Sequence, residues 1–410
     1  MSPVPRLRSY EGPALFSYGF RPFFLFGSLY AGLAVLVWLP VFTGELALAS
    51  AFAPRDWHIH EMLYGTLSAI ITGFLLTAIP NWTGRLPLQG TPLIVLVAAW
   101  LLGRIAVTFS AMIGWLPAAV TDVGFLLLVA AAAAREIVAG GNWSNLKVVS
   151  LVVLLATGNI CFHLEVHFAG AADYSIRLGL AVVVMLMTLI GGRIVPSFTR
   201  NWLSRENPGR LPVSFNRFDA IVIAASAATL VLWIVMPQSP ATGAALMMAG
   251  ILQGMRLARW AGDRTARERL VMILHLGYAF IPLGFLLLAA ASFDLVPVAA
   301  GVHAWGGGAA GTMTLAVMTR ASLGHTGHVL TASRGTQAIY AAVLLAAMIR
   351  ITAALAPAYV IPLSVTAAIL WASAFLGFGV AYGPMLTKGI IQHDRKGTGI
   401  LVLPNPEERD

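Results

Sequence analysis

The chain has 410 residues, of which 58% are hydrophobic and only 10% are charged. Soluble domains carry about 25% charged residues, so the composition excludes a protein that is covered by water on all sides. The net charge of +9 does not indicate nucleic acid as a partner, because the basic residues lie in short segments between apolar runs. We expect the lipid bilayer to be the main partner.

The chain begins with a polar segment, residues 1–11, that contains Arg6 and Arg8. The apolar run after it is too long for a signal-peptide core and lacks a clean cleavage site, so we expect a retained first span. The single cysteine, Cys161, can form no intramolecular disulfide and does not indicate a compartment.

Twelve apolar runs follow, and each has the length of about 20 residues that a membrane-spanning helix needs. Backbone groups must be paired within lipid, so these runs predict helices. The sequence therefore predicts an all-α polytopic membrane protein, with residues 1–410 as a single transmembrane domain. The predicted spans are roughly 20–43, 57–80, 91–114, 116–139, 146–168, 176–195, 216–237, 241–260, 267–291, 297–320, 336–356 and 358–384.

Lysine and arginine predict the orientation. With the N-terminus in the cytoplasm, 22 of the 26 basic residues fall in cytoplasmic segments, and only Arg55 and Arg177 lie in outer ones. The other two, Arg104 and Arg350, lie inside spans three and eleven. The even number of spans places the C-terminus in the cytoplasm as well.

A weak internal repeat relates every fourth span. Spans two and ten each carry a histidine followed five residues later by a glycine, His60/Gly65 and His303/Gly308. Similar sequences also close spans two, six and ten, at 77–84, 197–202 and 318–327. Either a threefold repeat of four helices or chance recurrence of small and aromatic residues at membrane ends accounts for this pattern.

Five of the nine histidines are predicted to lie in one layer near the outer face. Ionisable groups are costly inside a membrane, so each needs a reason. Hydrogen bonding to loops, proton transfer with Glu61, Asp122 and Glu165, and ligation of a metal or haem are the alternatives, since imidazole suits both iron and copper. The five are His58, His60, His163, His167 and His303.

Helix geometry divides this layer. His163 and His167 are four residues apart, share one face, and could bind one metal ion. His58 and His60 are two apart, about 200° around a helix, and would face different sites; they could chelate together only if the helix begins after His60. His60 and His303 have equal depth and are followed by glycines that leave room for a flat macrocycle.

Arg104 and Arg350 lie in the outer half of the membrane, and each needs an anion. The candidates within the chain are Glu61, Asp122 and Glu165, and the candidate ligand groups are haem propionates.

On the inner side, His275 and His325 could ligate a second haem or metal, although histidines beside water need no such role. His328 lies in the same loop as His325, and His393 belongs to the C-terminal tail.

Five longer motifs stand out in the sequence: FRPFF (Phe20–Phe24), WHIHEM (Trp57–Met62), GFLLTAIPNWTG (Gly73–Gly84), GRIVPSFTRNW (Gly192–Trp202) and TMTLAVMTRASLGHTG (Thr312–Gly327). Together they resemble the motifs of the NnrS family, and the likeness runs from about residue 14 to residue 385. The resemblance implies a bacterial inner-membrane protein that contains haem b and copper and serves nitric oxide metabolism and resistance to nitrosative stress.

The architecture is also similar to the large subunit of haem–copper oxidases and nitric oxide reductases. That likeness implies His60 and His303 as axial haem ligands. Arg104 and Arg350, which need anions, are the candidate partners of the haem propionates. Span six carries no histidine, so the usual copper ligands of that superfamily are missing. His163 and His167, together with His58, are the replacement candidates for copper.

These features favour a haem- and copper-binding protein with a small ligand such as nitric oxide. If it is an enzyme, it is a metal-dependent oxidoreductase acting on nitric oxide or nitrosyl species. A secondary transporter and a haem or copper delivery protein are the alternatives, and a transporter would carry its substrate site near mid-membrane.

Overall fold

The computed structural model of the protein describes residues 10–389, together with residues 392–393 and 400–401. Within this part, fifteen α-helices form the architecture, and the strands β1 (Gln392–His393) and β2 (Ile400–Leu401) pair antiparallel. The predicted all-α polytopic fold is confirmed.

The chain divides into two compact units, each built from separate stretches of sequence. The first unit comprises Met1–His167, Met318–Leu330 and Phe375–Asp410. Its first seven helices are α1 (Phe20–Phe42), α2 (Pro54–His60), α3 (Ser68–Thr83), α4 (Thr91–Thr108), α5 (Ser110–Ile113), α6 (Trp115–Ala139) and α7 (Leu146–Ala169).

The second unit comprises Phe168–Val317 and Thr331–Ala374. The helices α13 and α15 begin in this unit and end in the first one. The remaining helices are α8 (Tyr174–Glu206), α9 (Arg217–Val235), α10 (Pro240–Ala258), α11 (Arg269–Ala291), α12 (Val298–His303), α13 (Thr312–His325), α14 (Arg334–Leu355) and α15 (Val360–Thr387).

Ten helices of the part described are long and apolar enough to cross a membrane. They correspond to ten of the twelve predicted spans, so the count of twelve is not confirmed. The other two predicted spans are also helical: 241–260 coincides with α10, and 297–320 falls on the helical stretch from α12 to α13.

Two helical stretches, from α2 to α3 and from α12 to α13, each contain a π-helical segment. Each of the two segments begins directly after a histidine. The first segment, Glu61–Leu67, comes after His60, and the second, Ala304–Gly311, comes after His303. The wider π turn is often found at functional sites. The helix α8, in the corresponding position of the predicted threefold repeat, is continuous, so the likeness holds for two of the three repeats.

A buried arginine joins the start of α1 to the end of α15 in the first unit. Arg21, only 1% exposed, donates to the carbonyl oxygens of Leu386 (2.9 Å) and Lys388 (2.6 Å) at the end of α15. The last carbonyls of a helix lack partners within the helix and carry partial negative charge, so they suit a guanidinium group.

A second buried arginine, Arg256, organises α8, α9, α10 and α11 in the second unit. Its Nε donates to Asp219 (3.1 Å), and its Nη1 donates to the carbonyl oxygen of Thr188 (3.1 Å) and to the Tyr278 hydroxyl (3.0 Å). Gly192 lies directly against this guanidinium group, and a β-carbon there would collide with Arg256. The network therefore requires glycine at position 192.

Replacing Gly192 by alanine should destabilise the second unit. We expect a loss of about 1–3 kcal/mol, the usual effect of overpacking, because Arg256 would have to move away from its partners. Gly124→Ala is a matched control, since a β-carbon at Gly124 in α6 has no neighbour within 4 Å. Thermal unfolding of both variants in detergent tests the difference, and equal melting temperatures would contradict it.

Candidate metal centre

Two histidines and one aspartate meet in the interior of the first unit. Ligand atoms of His60, Asp122 and His163 all lie within 4.8 Å of one another. Among the described residues, no other group of three histidine, cysteine or carboxylate side chains is so close. All three are buried, and α2, α6 and α7 each contribute one of them.

His60 is fixed at both ring nitrogens. Its Nδ1 lies 2.9 Å from Glu61 Oε1, and its Nε2 lies 2.9 Å from Asn159 Oδ1 and 3.1 Å from Asp122 Oδ2. A carboxylate only accepts hydrogen bonds, so Nδ1 carries a proton. Asn159 Oδ1 and Asp122 Oδ2 also only accept, so Nε2 carries a second proton, which a metal ion bound there would replace. A carboxylate on Nδ1 is the usual way of orienting a histidine that binds a metal through Nε2.

Asp122 is the centre of the cluster. Its Oδ2 lies 3.0 Å from His163 Nε2 and accepts a hydrogen bond from Asn159 Nδ2 at 2.8 Å. Its Oδ1 is paired with Arg104. One oxygen is therefore neutralised by an arginine, and the other faces the two imidazoles.

Arg104 also holds Glu61. Its Nη1 donates to Glu61 Oε1 (2.7 Å) and Oε2 (2.8 Å), and the Tyr30 hydroxyl donates to the same carboxylate. Gly65, in the first π segment, leaves space for these groups, because a β-carbon there would lie 2.8 Å from Arg104 Nη1. The prediction that Arg104 requires an anion is thus met by two carboxylates of the chain.

The charges of the cluster call for one more cation. Glu61 and Asp122 bring two negative charges, and Arg104 supplies one positive charge. Uncompensated charge is strongly disfavoured in a low-dielectric interior. Either a proton on an imidazole or a bound metal ion completes the balance.

Aromatic rings close the site from water. The ring of Phe52 lies 5.0 Å from that of His60 and 5.1 Å from that of His163, and Phe162 and Tyr64 each lie 5.1 Å from His60. His60 and Asn159 are 0% exposed. The apolar wall lowers the local dielectric, which strengthens every electrostatic interaction in the cluster.

The donor set fits a transition metal. Bonds of about 2.1 Å to imidazole nitrogen and carboxylate oxygen place neighbouring ligand atoms roughly 3 Å apart, and the separations from Asp122 Oδ2 to His60 and His163 are 3.1 and 3.0 Å. Two histidines and one carboxylate suit iron, zinc or copper(II) better than calcium or magnesium, which prefer oxygen ligands only.

The other predicted metal ligands of this layer lie elsewhere in the first unit. His58 stacks on Trp38 with ring centroids 4.3 Å apart, and His167, which is exposed, stacks on Trp115 at 4.1 Å. The structure therefore brings His163 together with His60, and places neither His58 nor His167 in the described three-residue group.

His303 and Arg350 are the predicted haem residues of the second unit, and they lie on two helices that pack against each other. His303 ends α12, which packs against α14, and Arg350 is close enough to interact electrostatically with His303. His303 Nδ1 lies 2.7 Å from the Ala299 carbonyl oxygen. Both side chains are half-buried.

The two residues predicted for a second haem belong to different units. His275 Nε2 lies 2.8 Å from Thr199 Oγ1, and a β-carbon on Gly262 would come within 2.5 Å of Nδ1, so neither nitrogen has room for a porphyrin. Asp263, beside Gly262 in the connection between α10 and α11, accepts hydrogen bonds from Arg210, which lower the pKa of its carboxyl group.

His325 is exposed, and its ring stacks on that of Tyr18 at 5.5 Å. Neither His275 nor His325 belongs to a group of three or more potential metal ligands among the described residues.

Two residues at the site are not predicted in these roles from the sequence. Asn159, which contacts the cluster, is not among the predicted residues, although it lies four residues before His163 and hence on the same face of α7. Asp122 is predicted only as a proton-transfer group or as a partner of an arginine. An aspartate inside an apolar run is itself a signal, because such residues are rare and functional in membranes.

Comparison with protein families gives one result that covers nearly the whole chain. The model of the NnrS family, described as NnrS protein, matches residues 14–389. A comparison with curated proteins gave no match. The motifs, the helical membrane architecture and this match agree, and the chain belongs to the NnrS family.

Proposed function

We propose that the protein binds haem b and copper in the bacterial inner membrane, with both termini in the cytoplasm, and protects the cell from nitrosative stress through nitric oxide metabolism. The observation that carries the proposal is the buried cluster of His60, Asp122 and His163 in a chain of the NnrS family. A buried cluster with these donors and with one more carboxylate than arginine is suited to holding a metal ion.

Each residue of the cluster has a distinct part in this proposal. His60, His163 and Asp122 would hold the metal, and copper(II) forms the strongest complexes with such nitrogen and oxygen donors in the divalent series. Glu61 orients His60 through Nδ1, and Arg104 keeps Glu61 and Asp122 in place. Phe52 and its aromatic neighbours exclude water. A bound copper ion would supply one-electron redox chemistry for nitric oxide.

Purification without added chelator tests the proposal. We expect a coloured protein with a haem b pyridine haemochrome spectrum and with copper by elemental analysis. The absence of both would reject it, and a colourless protein would favour the transporter alternative. Loss of both groups on simple dialysis would favour a delivery protein, because such a protein holds its cargo loosely.

A further inference from the structure

We infer that His60 and His303 serve different ligands: His303 alone binds the haem iron, and His60 belongs to the metal cluster. This inference rests on the proposed function, and it assigns each group to one unit. It departs from the pairing of the two histidines on one haem that the sequence predicts.

His60 has no nitrogen left for a haem. Glu61 holds Nδ1, and Nε2 points at Asn159 and Asp122 within 3.1 Å. An axial ligand must direct Nε2 at the iron above an open porphyrin face. Around His60, that space holds a carboxylate, an amide and the aromatic rings of Phe52 and Phe162.

His303 is arranged differently. The Ala299 carbonyl oxygen can only accept, so Nδ1 of His303 carries the proton and Nε2 keeps its lone pair. This backbone contact is a common way of fixing a metal-binding histidine. Nε2 makes no hydrogen bond to any residue between 10 and 389.

The helix surface next to His303 is open. Gly306 and Gly307 lie about one turn beyond the histidine, and a β-carbon on either would meet no atom within 4 Å. Gly308 and Gly311, by contrast, pack closely on Phe280 and Trp371. The glycine run is therefore tight on one side and leaves room for a flat group on the other.

Arg350 supplies the second point of attachment. No described carboxylate forms an ion pair with Arg350, although Arg104 in the first unit pairs with both Glu61 and Asp122. The residue after His303 is Ala304, where Glu61 follows His60. A guanidinium inside a membrane needs an anion, and the carboxylates of haem propionates are anions of the right kind.

Each unit thus has its own histidine, followed by a π segment, and its own arginine inside a span. The difference is that described carboxylates pair with the arginine in the first unit only. Around His60, two carboxylates face a single arginine, so one positive charge is missing. Around His303, Arg350 forms no ion pair with a described carboxylate, so a negative charge is missing. A metal ion fits the first arrangement, and an anionic iron porphyrin fits the second.

Two substitutions separate the assignments. In His303→Ala, we expect haem per protein to fall more than about tenfold while the non-haem metal is retained. In His60→Ala, we expect the converse: the metal falls more than about tenfold and the Soret band persists. His58→Ala, on the same helix as His60, is the control and should keep both. The readouts are the pyridine haemochrome assay and elemental analysis.

Loss of haem from both His60→Ala and His303→Ala, with the metal retained in both, would overturn the inference in favour of the shared haem. Absence of haem from the unsubstituted protein would instead refute the proposed function. If His303→Ala misfolds, His303→Gly purified with added imidazole decides: recovery of the Soret band supports the inference, and no recovery in a monodisperse protein contradicts it.

A measurement on the unsubstituted protein gives an independent check. An iron with a single protein ligand keeps one position open, so the reduced protein should bind carbon monoxide stoichiometrically. A haem held by two histidines would resist carbon monoxide, and that result would overturn the inference.

Discussion

Asp122→Asn should remove the metal from the first unit while leaving the fold intact. The amide has almost the size of the carboxylate, but it lacks the negative charge that offsets a bound cation between His60 and His163. Substitutions of groups that merely support metal ligands cost about 10–100-fold in affinity, and loss of a ligand should exceed this. Elemental analysis after dialysis against a weak chelator measures the effect.

The matched control is Asp173→Asn. Asp173 also pairs with an arginine, Arg177, but its side chain is 68% exposed. Exposed pairs of this kind contribute little, so metal content and stability should be unchanged. A metal content that is equal in Asp122→Asn and in the unsubstituted protein would show that the cluster is not a metal site.

Arg104→Gln should cause the largest loss of stability. Arg104 is 4% exposed, and its guanidinium group forms ion pairs with the carboxylates of both Glu61 and Asp122. Removing one partner of a buried ion pair typically costs about 3–5 kcal/mol, because the remaining charge stays buried without compensation. The change should appear as a lower melting temperature in detergent, measured on metal-free protein.

Two further variants make this result specific. The double variant of Arg104→Gln with Glu61→Gln should recover part of the loss, since it removes one of the two orphaned charges. Arg350→Gln should change the stability of the haem-free protein by less than about 1 kcal/mol, because no described ion pair is broken. If all three variants unfold at the same temperature, Arg104 has no role in charge compensation.

The helices could be predicted because lipid imposes a single rule on every span. Each apolar run must satisfy its own backbone hydrogen bonds, so length and hydrophobicity determine the helix. The separation of His58 from His60 also follows from helix geometry, and the two rings have different neighbours, Trp38 and Phe52. The need of Arg104 for a carboxylate followed from the cost of a buried charge.

The composition of the cluster could not be predicted, because it depends on how α2, α6 and α7 pack. The spacing of His163 and His167 indicates that both lie on one face of α7. Tertiary packing, however, determines that His163 contacts Asp122, whereas His167, near the end of α7, stacks on Trp115 at the start of α6. The π segments were missed for a related reason. Glycines permit them, but their tertiary contacts, such as that of Gly65 with Arg104, cannot be read from the sequence.

The division of the chain into units has a consequence for biosynthesis. All residues of the candidate metal centre lie before residue 168, so they are translated before the second unit. The first unit, however, also contains the end of α15, whose last carbonyls accept hydrogen bonds from Arg21. The contacts of Arg21 in α1 can therefore form only after the second unit, which lies between α1 and the end of α15 in the chain, has been synthesised.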